Sequence, residues 1–552
     1  GGASGGAMRP RASSSGACGA MDVGMGGATS SACAAFRERP EDGNCDGLLP
    51  PSGAAPDFRA LLSRLLRAAD GPPGSARTAP SPSGGGGDYG LSGEGALAVG
   101  DSDDYIDPFS HIERANIGRE GDEEHKKQRA HLRSLIHELQ QAAETKNEQR
   151  TLQVSEQLTS YFEGIEKKAA EAAAAAAADA DWEGGGGGGN GQRLHGEITA
   201  FVSEHGMLPL VTSLRTMTGT KVTLQLLRLL NALLDGGGPS VCETACLLGV
   251  IPPALRFVEN QYPPRTRLQA ARFTHLMCTR AGAFTLQMFV ACQGLPAVVI
   301  LLADAANGRE LVLLAVDAIK AVLDMRGRSP RNDLCRTLVD LDILQLLVDA
   351  MHEIAPHHKG HADKCAEIFL LFSCADPVVK ARMATGRAGG RVLHGLMRVL
   401  SSPENFESAL TLKVLRCVKH LCMGEAAHMD ELQKARAVPH LVALLRVKQG
   451  GGRLEAEMRN QCVNALYLLC QISRSRQEEA ALHGVLPLLQ EIIRQRSPLK
   501  EFALPIVCDI AKASKVARVQ LKKQAAVEFY LDLLATPYWQ EKALDALLVW
   551  LQ

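Results

Sequence analysis

The stretch LQMFVACQGLPAVVILLAD, residues 286–304, decides the fold of this chain. It is strongly apolar on both sides of a break formed by Gly294 and Pro296. Glycine ends a helix readily because it adopts backbone conformations that are costly for other residues. Proline fits the first turn of a helix, where its missing N–H needs no partner. The stretch therefore predicts two helices that meet at a sharp bend, rather than one long helix.

The same signal returns along the C-terminal two-thirds of the chain. Successive breaks are about 42 to 49 residues apart, which is the period of armadillo and HEAT helical repeats. We place eight breaks, at Gly206, Gly249, Gly294, Asp342, Arg391, Ala437, Gly484 and Ala526. The period predicts an all-α, armadillo/HEAT-like superhelix, a solenoid in which each repeat buries its faces only against its neighbours.

A third helix can be traced in most units, and it is apolar nearly all round, as a layer between neighbouring repeats should be. One comparable position in this helix is polar in six units: Asn231, His275, Lys320, Lys419, Tyr467 and Asp509. The fourth unit has Phe372 there instead. Armadillo proteins carry an asparagine ladder at a similar place on the concave face, which grips an extended peptide. Because the set here is chemically mixed, it is either a partner-binding surface or ordinary variation along helix surfaces.

Composition excludes several classes of function. The net charge is −1, so there is no global electrostatic basis for binding nucleic acid. No apolar run reaches the roughly 18 residues that span a bilayer, and the N-terminus lacks a signal-peptide pattern. The 15 cysteines lie mostly in apolar contexts without a CxxC pair, which indicates reduced core residues in a cytoplasmic protein.

The chain divides by composition into four parts. Residues 1–102 are rich in Gly, Ala, Ser and Pro and are expected to be disordered; the apolar stripe at 57–70 is either a transient helix or a docking helix. Residues 103–183 form an acidic linker and a helical segment, 184–193 a glycine-rich linker, and 194–552 the repeats. Residue 1 is Gly, and the last helical pattern has no stop signal. We therefore expect a fragment, truncated within the repeats.

The sequence contains no signature of a reaction centre. Metalloprotease, phosphate-loop, nucleophile-elbow and protein-kinase motifs are all missing, so we predict no catalytic, cofactor or metal site. Residues 351–365 contain possible zinc ligands by type, but the segment is expected to be mainly a solvated loop. Those ligands are His352, His357, His358, His361 and Cys365. The basic segment 324–335 is either a solvated connection between helices or a loop that binds phosphate or is phosphorylated. Ser102, beside acidic residues, is a candidate phosphorylation site of low specificity.

Several stretches resemble one family, the helical-repeat tail of the septation-initiation, or mitotic-exit, protein kinases of fungi, with plant relatives among the MAP kinase kinase kinases of the epsilon type. The strongest are YPPRTRLQAARF (262–273), FTLQMFVACQGLPAVV (284–299), RELVLLAVDAI (309–319), RSPRNDLC (328–335) and SPLKEFALPIVCDIAKASKVARVQL (497–521). DPFSHIE (107–113) leading into HLRSLIHELQ (131–140) is similar to the same tail, more weakly.

The resemblance implies a parent serine/threonine kinase whose catalytic domain precedes everything in this chain. It further implies that the repeats bind proteins, among them a small GTPase or its scaffold and division-site components, at the spindle pole, the cytoskeleton or the division site. Our first hypothesis is thus a non-catalytic binding and localisation region of a kinase that controls cytokinesis and mitotic exit. The alternative is a stand-alone armadillo-like adaptor without a kinase domain. The sequence does not specify an oligomeric state.

Overall fold

The computed structural model describes residues 123–178, 189–304, 308–325, 331–447, 452–495 and 497–551. The predictions for residues 1–102, including the helix at 57–70 and Ser102, lie outside the described residues. So do residues 103–122 of the acidic linker segment, positions 326–330 of the basic segment and residues 184–188 of the glycine-rich linker. Residues 189–193, which we expected to be linker, are helical instead.

The described chain is built of 25 helices. Two helices come before the repeats: α1 (Glu123–Glu144) and α2 (Glu148–Ala178). The repeats begin with α3 (Gly189–Ser203), α4 (Met207–Thr216), α5 (Thr220–Leu247), α6 (Ile251–Leu255), α7 (Pro264–Thr279), α8 (Ala283–Ala291), α9 (Gly294–Leu302), α10 (Arg309–Leu323), α11 (Arg331–Asp340), α12 (Ile343–Ile354) and α13 (Lys359–Cys374). They continue with α14 (Pro377–Thr385), α15 (Gly389–Ser401), α16 (Ser408–Cys422), α17 (Ala426–Lys434), α18 (Ala437–Arg446), α19 (Arg453–Cys470), α20 (Arg474–Leu482), α21 (Val485–Arg494), α22 (Lys500–Ala513), α23 (Lys515–Lys523), α24 (Ala526–Leu533) and α25 (Gln540–Leu551).

The bend predicted inside residues 286–304 is present. Helices α8 and α9 meet at 80° across a short break, so the apolar run is two helices. The residue in the left-handed conformation is Gln293, with φ 65°, and not Gly294, which is the first residue of α9. The prediction that Gly294 supplies the unusual backbone conformation was therefore wrong by one residue.

Gly294 is instead required by packing. A Cβ atom at this position would lie 2.3 Å from Cε1 of Phe289, five residues earlier on α8. Gly206 faces the ring of Phe201 in the same way, with the nearest ring carbon 2.5 Å from an added Cβ. At the second bend the order of large and small residues is reversed. The small residue, Ala245, comes first and the larger Val250 follows five residues later, and both are fully buried. Each of these three bends thus joins a large residue to a small one, which is the apolar contact of a Schellman-type helix end.

The left-handed residue recurs at seven of the eight bends in the described chain, namely His205, Gly249, Gln293, Asp342, Arg436, Gly484 and Ala525. In the fifth repeat the connection differs. Residues 386–388 join α14 to α15, and Arg391, which the sequence alignment placed at the break, lies inside α15. Gly389 starts that helix because an added Cβ would lie 2.4 Å from the carbonyl oxygen of Ala384. A close backbone approach replaces the left-handed residue there.

The third helices of successive repeats pack side by side in one layer, here called the third-helix layer: α5, α7, α10, α13, α16, α19, α22 and α25. Helix α2 packs along α5 and continues the layer on its other side. Gly238, with φ 69° and ψ −163°, breaks α5, so that residues 239–247 serve as the first helix of the second repeat. The described helices therefore form an all-α, armadillo-like solenoid with one core that runs from repeat to repeat.

The structure also shows how the cysteines are buried and whether any helix could span a membrane. Of the twelve cysteines in the described residues, ten are buried, Cys292 is half-buried and Cys374 is exposed. No single described helix is long and apolar enough to cross a membrane, although two helix pairs, bent by 98° and 80°, reach that length and composition together.

Candidate protein-binding surface

The six polar positions predicted on the third helices do not share one environment. Asn231 is buried, with 8% of its surface exposed, and the other five, His275, Lys320, Lys419, Tyr467 and Asp509, are half-buried. Phe372 is fully buried in the core, whereas its neighbour Leu371 is partly exposed. Each contact joins one third helix to the next, and the line of contact between two neighbouring third helices is here called a seam.

The seam between α5 and α7 is held by amides. Nδ2 of Asn231 donates hydrogen bonds to the carbonyl oxygen of Gln269 at 2.9 Å and to its Oε1 at 3.0 Å. Oδ1 of Asn231 is buried and accepts no hydrogen bond in the described structure. On the α2 side, Nε2 of Gln225 donates to Oγ1 of Thr159 at 2.9 Å. Neutral groups therefore satisfy one another here and leave one buried acceptor unused.

These amides line a groove of about 1000 Å³ between α2, α5 and α7. Asn231 and His275, two of the predicted residues, are part of its lining. Charged residues of both signs also line the groove: Glu156, Glu163, Arg228, Asp235, Arg272 and Arg280. Two of the arginines are engaged, Arg272 with Glu310 at 2.8 Å and Arg280 with Asp235 at 3.0 Å. The groove therefore favours neither purely acidic nor purely basic ligands.

The next seams are held by charge, and Asp317 on α10 is their centre. Its Oδ1 lies 2.5 Å from Nζ of Lys364, and its Oδ2 lies 3.3 Å from Nε2 of His361, both on α13. Nε2 of His275 on α7 lies 3.6 Å from the same Oδ2. Burial alone would raise the pKa of Asp317, but hydrogen bonds from His275 and Lys364 and the charges of His361 and Lys364 hold that pKa well below its usual range. One carboxylate thus joins three repeats.

Lys320, the third predicted residue, belongs to the same kind of seam. Its Nζ pairs with Asp324, the residue that follows the end of α10, and lies 3.5 Å from Oε2 of Glu367 on α13. Glu367 also accepts from Lys413 on α16 at 3.3 Å, and Lys413 pairs with Asp363 at 2.6 Å. Alternating charges therefore link α10, α13 and α16, and the predicted lysine belongs to the ion pairs that connect neighbouring repeats.

The last three predicted positions are separate from both the groove and the Asp317 cluster. Lys419 lies beside the His420 ring and is one of the charges that lower the pKa of that histidine. Tyr467 stacks edge-to-face on Phe502 of the next third helix, with ring centroids 5.4 Å apart. Burial raises the pKa of Asp509 above its ordinary value. The structure brings Asn231 and His275 together in one groove and distributes the other four along the layer.

The histidine-rich segment does not form a metal centre in the described residues, where no group of three or more His, Cys, Asp or Glu side chains could hold an ion. Only residues 355–358 lie between helices, because α12 extends to Ile354 and α13 starts at Lys359. His352 contacts the carbonyl oxygen of Gly395 at 2.9 Å, and Cys365 is fully buried. The expected loop is therefore confined to residues 355–358, and the rest of the segment is helical.

Asp317 and Gln269 are the residues that the sequence reasoning missed. Gln269 lies 38 residues from Asn231, so only a repeat-by-repeat alignment of the third helices could have paired the two amides. Asp317 lies three residues before Lys320 on α10, on a helix otherwise rich in apolar residues. An acidic residue in the apolar middle of this helix was the available signal.

No protein-family model matches the chain. Several known proteins are similar to it in sequence. The cytokinesis protein sepH of Aspergillus niger is 35% identical over 473 residues, which cover 82% of this chain and 32% of that protein. Cell division control protein 7 of Schizosaccharomyces pombe is 31% identical over 359 residues, covering 64% of this chain and 32% of that protein. The chain thus spans about a third of the length of these relatives.

A plant protein, MAP3K epsilon protein kinase 1 of Brassica napus, is 24% identical over 63% of this chain and 42% of its own length. Among solved structures, an engineered protein superimposes with a TM-score of 0.43 at 16% identity, over 76% of this chain and 88% of that chain. A designed armadillo repeat protein gives a TM-score of 0.36 at 16% identity, over 48% of this chain and 99% of its own.

Proposed function

Because this chain belongs to the septation kinase family, matching about a third of the length of its fungal relatives, we propose that it is a non-catalytic region of a serine/threonine protein kinase that controls cytokinesis and mitotic exit. Its task is to bind proteins and to bring the kinase to the place of division. The partners expected from the family resemblance are a small GTPase or its scaffold and components of the division site.

The observation that carries the proposal is the groove between α2, α5 and α7. Its wall combines three nearly buried amides, Gln225, Asn231 and Gln269, with charged residues of both signs. A peptide backbone presents N–H donors and C=O acceptors at regular spacing, so amides suit it regardless of the peptide's side chains.

The charged residues would add selectivity to this recognition. Arg228 is exposed within the groove, whereas Arg272 and Arg280 already contact acidic residues of the protein. An acidic side chain of a bound peptide would therefore be drawn to Arg228, and basic side chains to Glu156 and Glu163. We propose that the groove holds an extended segment of a division protein that carries both kinds of charge.

Localisation in dividing cells tests the proposal. The chain, fused to a fluorescent protein, should concentrate at the division site or the spindle pole. Arg228→Glu should weaken that signal by reversing a charge in the groove. Arg391→Glu is the matched control, because Arg391 is an exposed arginine on α15, away from the groove residues. A diffuse signal for the unaltered chain would refute the localisation role, and equal loss in both variants would refute the groove.

A second measurement addresses catalysis. Incubated with ATP and magnesium, the purified chain should transfer no phosphoryl group to itself or to a general protein substrate. Turnover that a point substitution within residues 194–552 abolishes would contradict the proposal of a non-catalytic region.

A further inference from the structure

Asp509 on α22 differs from four other half-buried carboxylates on the third-helix layer. Each of those four forms an ion pair with a neighbouring third helix, and they are Asp317, Asp363, Glu367 and Glu457. Among the described residues, Asp509 makes no such pair. Its carboxylate is therefore held at the surface of the layer without a cation in contact.

Two lysines lie in the neighbourhood of Asp509, and both make other contacts. Nζ of Lys512 lies 3.1 Å from Oδ2 of Asp545 on α25, and Nζ of Lys542 lies 5.7 Å from the centre of the Trp539 ring. Burial raises the pKa of Asp509 above its ordinary value, and the charges of the two lysines only partly offset this. A further cation beside the carboxylate would therefore be stabilised.

Aromatic surface lies on the same face of α22. Phe502, Pro505 and Asp509 are three and four residues apart, so they share one side of the helix, and all three are half-buried. Tyr467 on α19 adds a second ring, edge-to-face with Phe502. Because proline has no N–H, Pro505 leaves the carbonyl oxygen of Glu501 without its helical donor. Phe502, Pro505, Asp509 and Tyr467 are here called the α22 row.

The α22 row has the chemistry that suits a basic side chain and an apolar one together. Lysine and arginine carry apolar stems that pack on aromatic rings and charged ends that bind carboxylates. Phe502 and Asp509 are two helical turns apart, or about 10 Å. Residues two or three positions apart in an extended or polyproline chain are separated by about 7–10 Å. One short segment can therefore contact both ends of the row.

We propose that the α22 row binds a segment of a partner protein in which a lysine or arginine follows an apolar residue by two or three positions. The cation pairs with Asp509, and the apolar side chain packs on Phe502 and Tyr467. An acidic segment is disfavoured, because it would place a like charge beside the carboxylate. The row is separate from the groove between α2, α5 and α7, so it stands independently of that groove.

Fluorine NMR of the full chain labelled with 3-fluorotyrosine tests the proposal, with Tyr467→Phe identifying the Tyr467 resonance. The probe is a peptide with the core Leu-Pro-Ala-Lys flanked by Gly-Ser, and its control carries uncharged norleucine in place of lysine. We expect the lysine peptide to shift the Tyr467 resonance saturably, and the norleucine peptide to bind at least about fivefold more weakly. No shift with the lysine peptide, or equal affinities for the two peptides, would overturn the proposal.

Two variants assign the charge preference to Asp509. Asp509→Asn should raise the dissociation constant of the lysine peptide at least about fivefold and leave that of the norleucine peptide unchanged. It removes an incompletely compensated charge, so it should not lower the melting temperature. Glu491→Gln, which removes an exposed carboxylate on α21, should leave both dissociation constants unchanged. Equal effects of Asp509→Asn and Glu491→Gln would mean that the peptide responds only to net charge, and would contradict the site.

Arg228→Glu separates this surface from the groove. It reverses a charge in the groove and should leave binding of the lysine peptide at Tyr467 unchanged. If it weakened that binding as much as Asp509→Asn does, the α22 row would not be an independent site, whereas unchanged binding would support the row whether or not the groove holds a partner.

Discussion

The amino-terminal repeats, residues 189–302, and the central repeats, 309–446, solve the same packing problem with different chemistry. In the first region the third helices α5 and α7 are joined by the buried amides of Asn231 and Gln269 and, at their exposed edge, by the Arg280–Asp235 pair. Two of the three bends in this region pair phenylalanine with glycine. In the second region charges centred on Asp317 join the third helices. At the bend before α12 the corresponding positions are Leu338 and Ile343, which are both large and fully buried.

This difference shows which properties of a solenoid are interchangeable. Any pair of residues of the right combined volume can close a bend, because the contact is apolar and local. The seams are not interchangeable, because an amide seam is insensitive to pH and salt, whereas a charged seam depends on both. The amide seam also leaves a groove open beside it, and we propose that this groove is where a partner binds.

The largest effect is expected at the bend of the first region. Gly294→Val would place a branched side chain against the Phe289 ring and should lower the free energy of unfolding by about 3 kcal/mol. Phe289→Ala with Gly294→Val reproduces the Ala245 and Val250 pair of the second bend. Urea denaturation of both single variants and the double should show that the double loses at least about 1 kcal/mol less than the sum. If the losses of unfolding free energy in the two single variants simply add up in the double variant, the two side chains do not compete for the same space.

The next effect belongs to the charged seam. Asp317→Asn removes the carboxylate that joins α7, α10 and α13, leaves Lys364 without its partner, and should cost about 2 kcal/mol at neutral pH. Asp333→Asn is the control, because Asp333 is 55% exposed and pairs with Arg336 on its own helix. That control should cost less than about 0.5 kcal/mol. Equal losses would show that Asp317 is an ordinary surface charge.

The stability contributions of the amide seam and the charged seam should depend differently on pH. The folded-state pKa of Asp317 is depressed, so its contribution is fully present above the unfolded pKa of about 3.9 and is lost as the pH falls further. The stability difference between the unaltered chain and Asp317→Asn should therefore be present at neutral pH and shrink below about pH 4. Asn231→Ala should cost about 1.5 kcal/mol at every pH, since no titrating group takes part in that bond. Parallel pH profiles for the two variants would contradict the distinction between the seams.

The smallest effect tests the left-handed residues. Gln293→Gly should raise the melting temperature slightly, by relieving about 0.5 kcal/mol of backbone strain at φ 65°. Asp342→Gly, at φ 58° in the central repeats, should behave the same, because bends are equivalent in both regions. A loss of stability in either variant would indicate that the native side chain makes a contact worth more than the strain.

The sequence predicts the repeat and the position of most bends because both depend on local signals, glycine, proline and the period of apolar residues. It misplaces the left-handed residue beside Gly206 and Gly294. A small residue is demanded equally by a positive φ and by a ring packed against the backbone, and the sequence alone does not separate the two causes. The predicted position of the fifth bend, Arg391, lies too far along the chain. The turn there is bracketed by Gly386 and Gly389 and contains no left-handed residue, so it does not follow the pattern of the other bends.

The surface was less predictable than the fold. Asn231 and His275 lie in the groove, but the partners that define the seams, Gln269 and Asp317, are on other helices. A polar position on a third helix looks the same in the sequence whether it faces an amide, a carboxylate or solvent. Only the lateral packing of the helices decides which of these it meets.

Site-specific photo-crosslinking tests the central claim most directly. A photoreactive residue replaces Arg228 in the groove or, as control, Arg391 on α15, and irradiated adducts from dividing and resting cells are compared. The account predicts protein adducts at position 228 in dividing cells that are weak in resting cells and weak at position 391. Adducts confined to position 391, or none at position 228 in dividing cells, would contradict it.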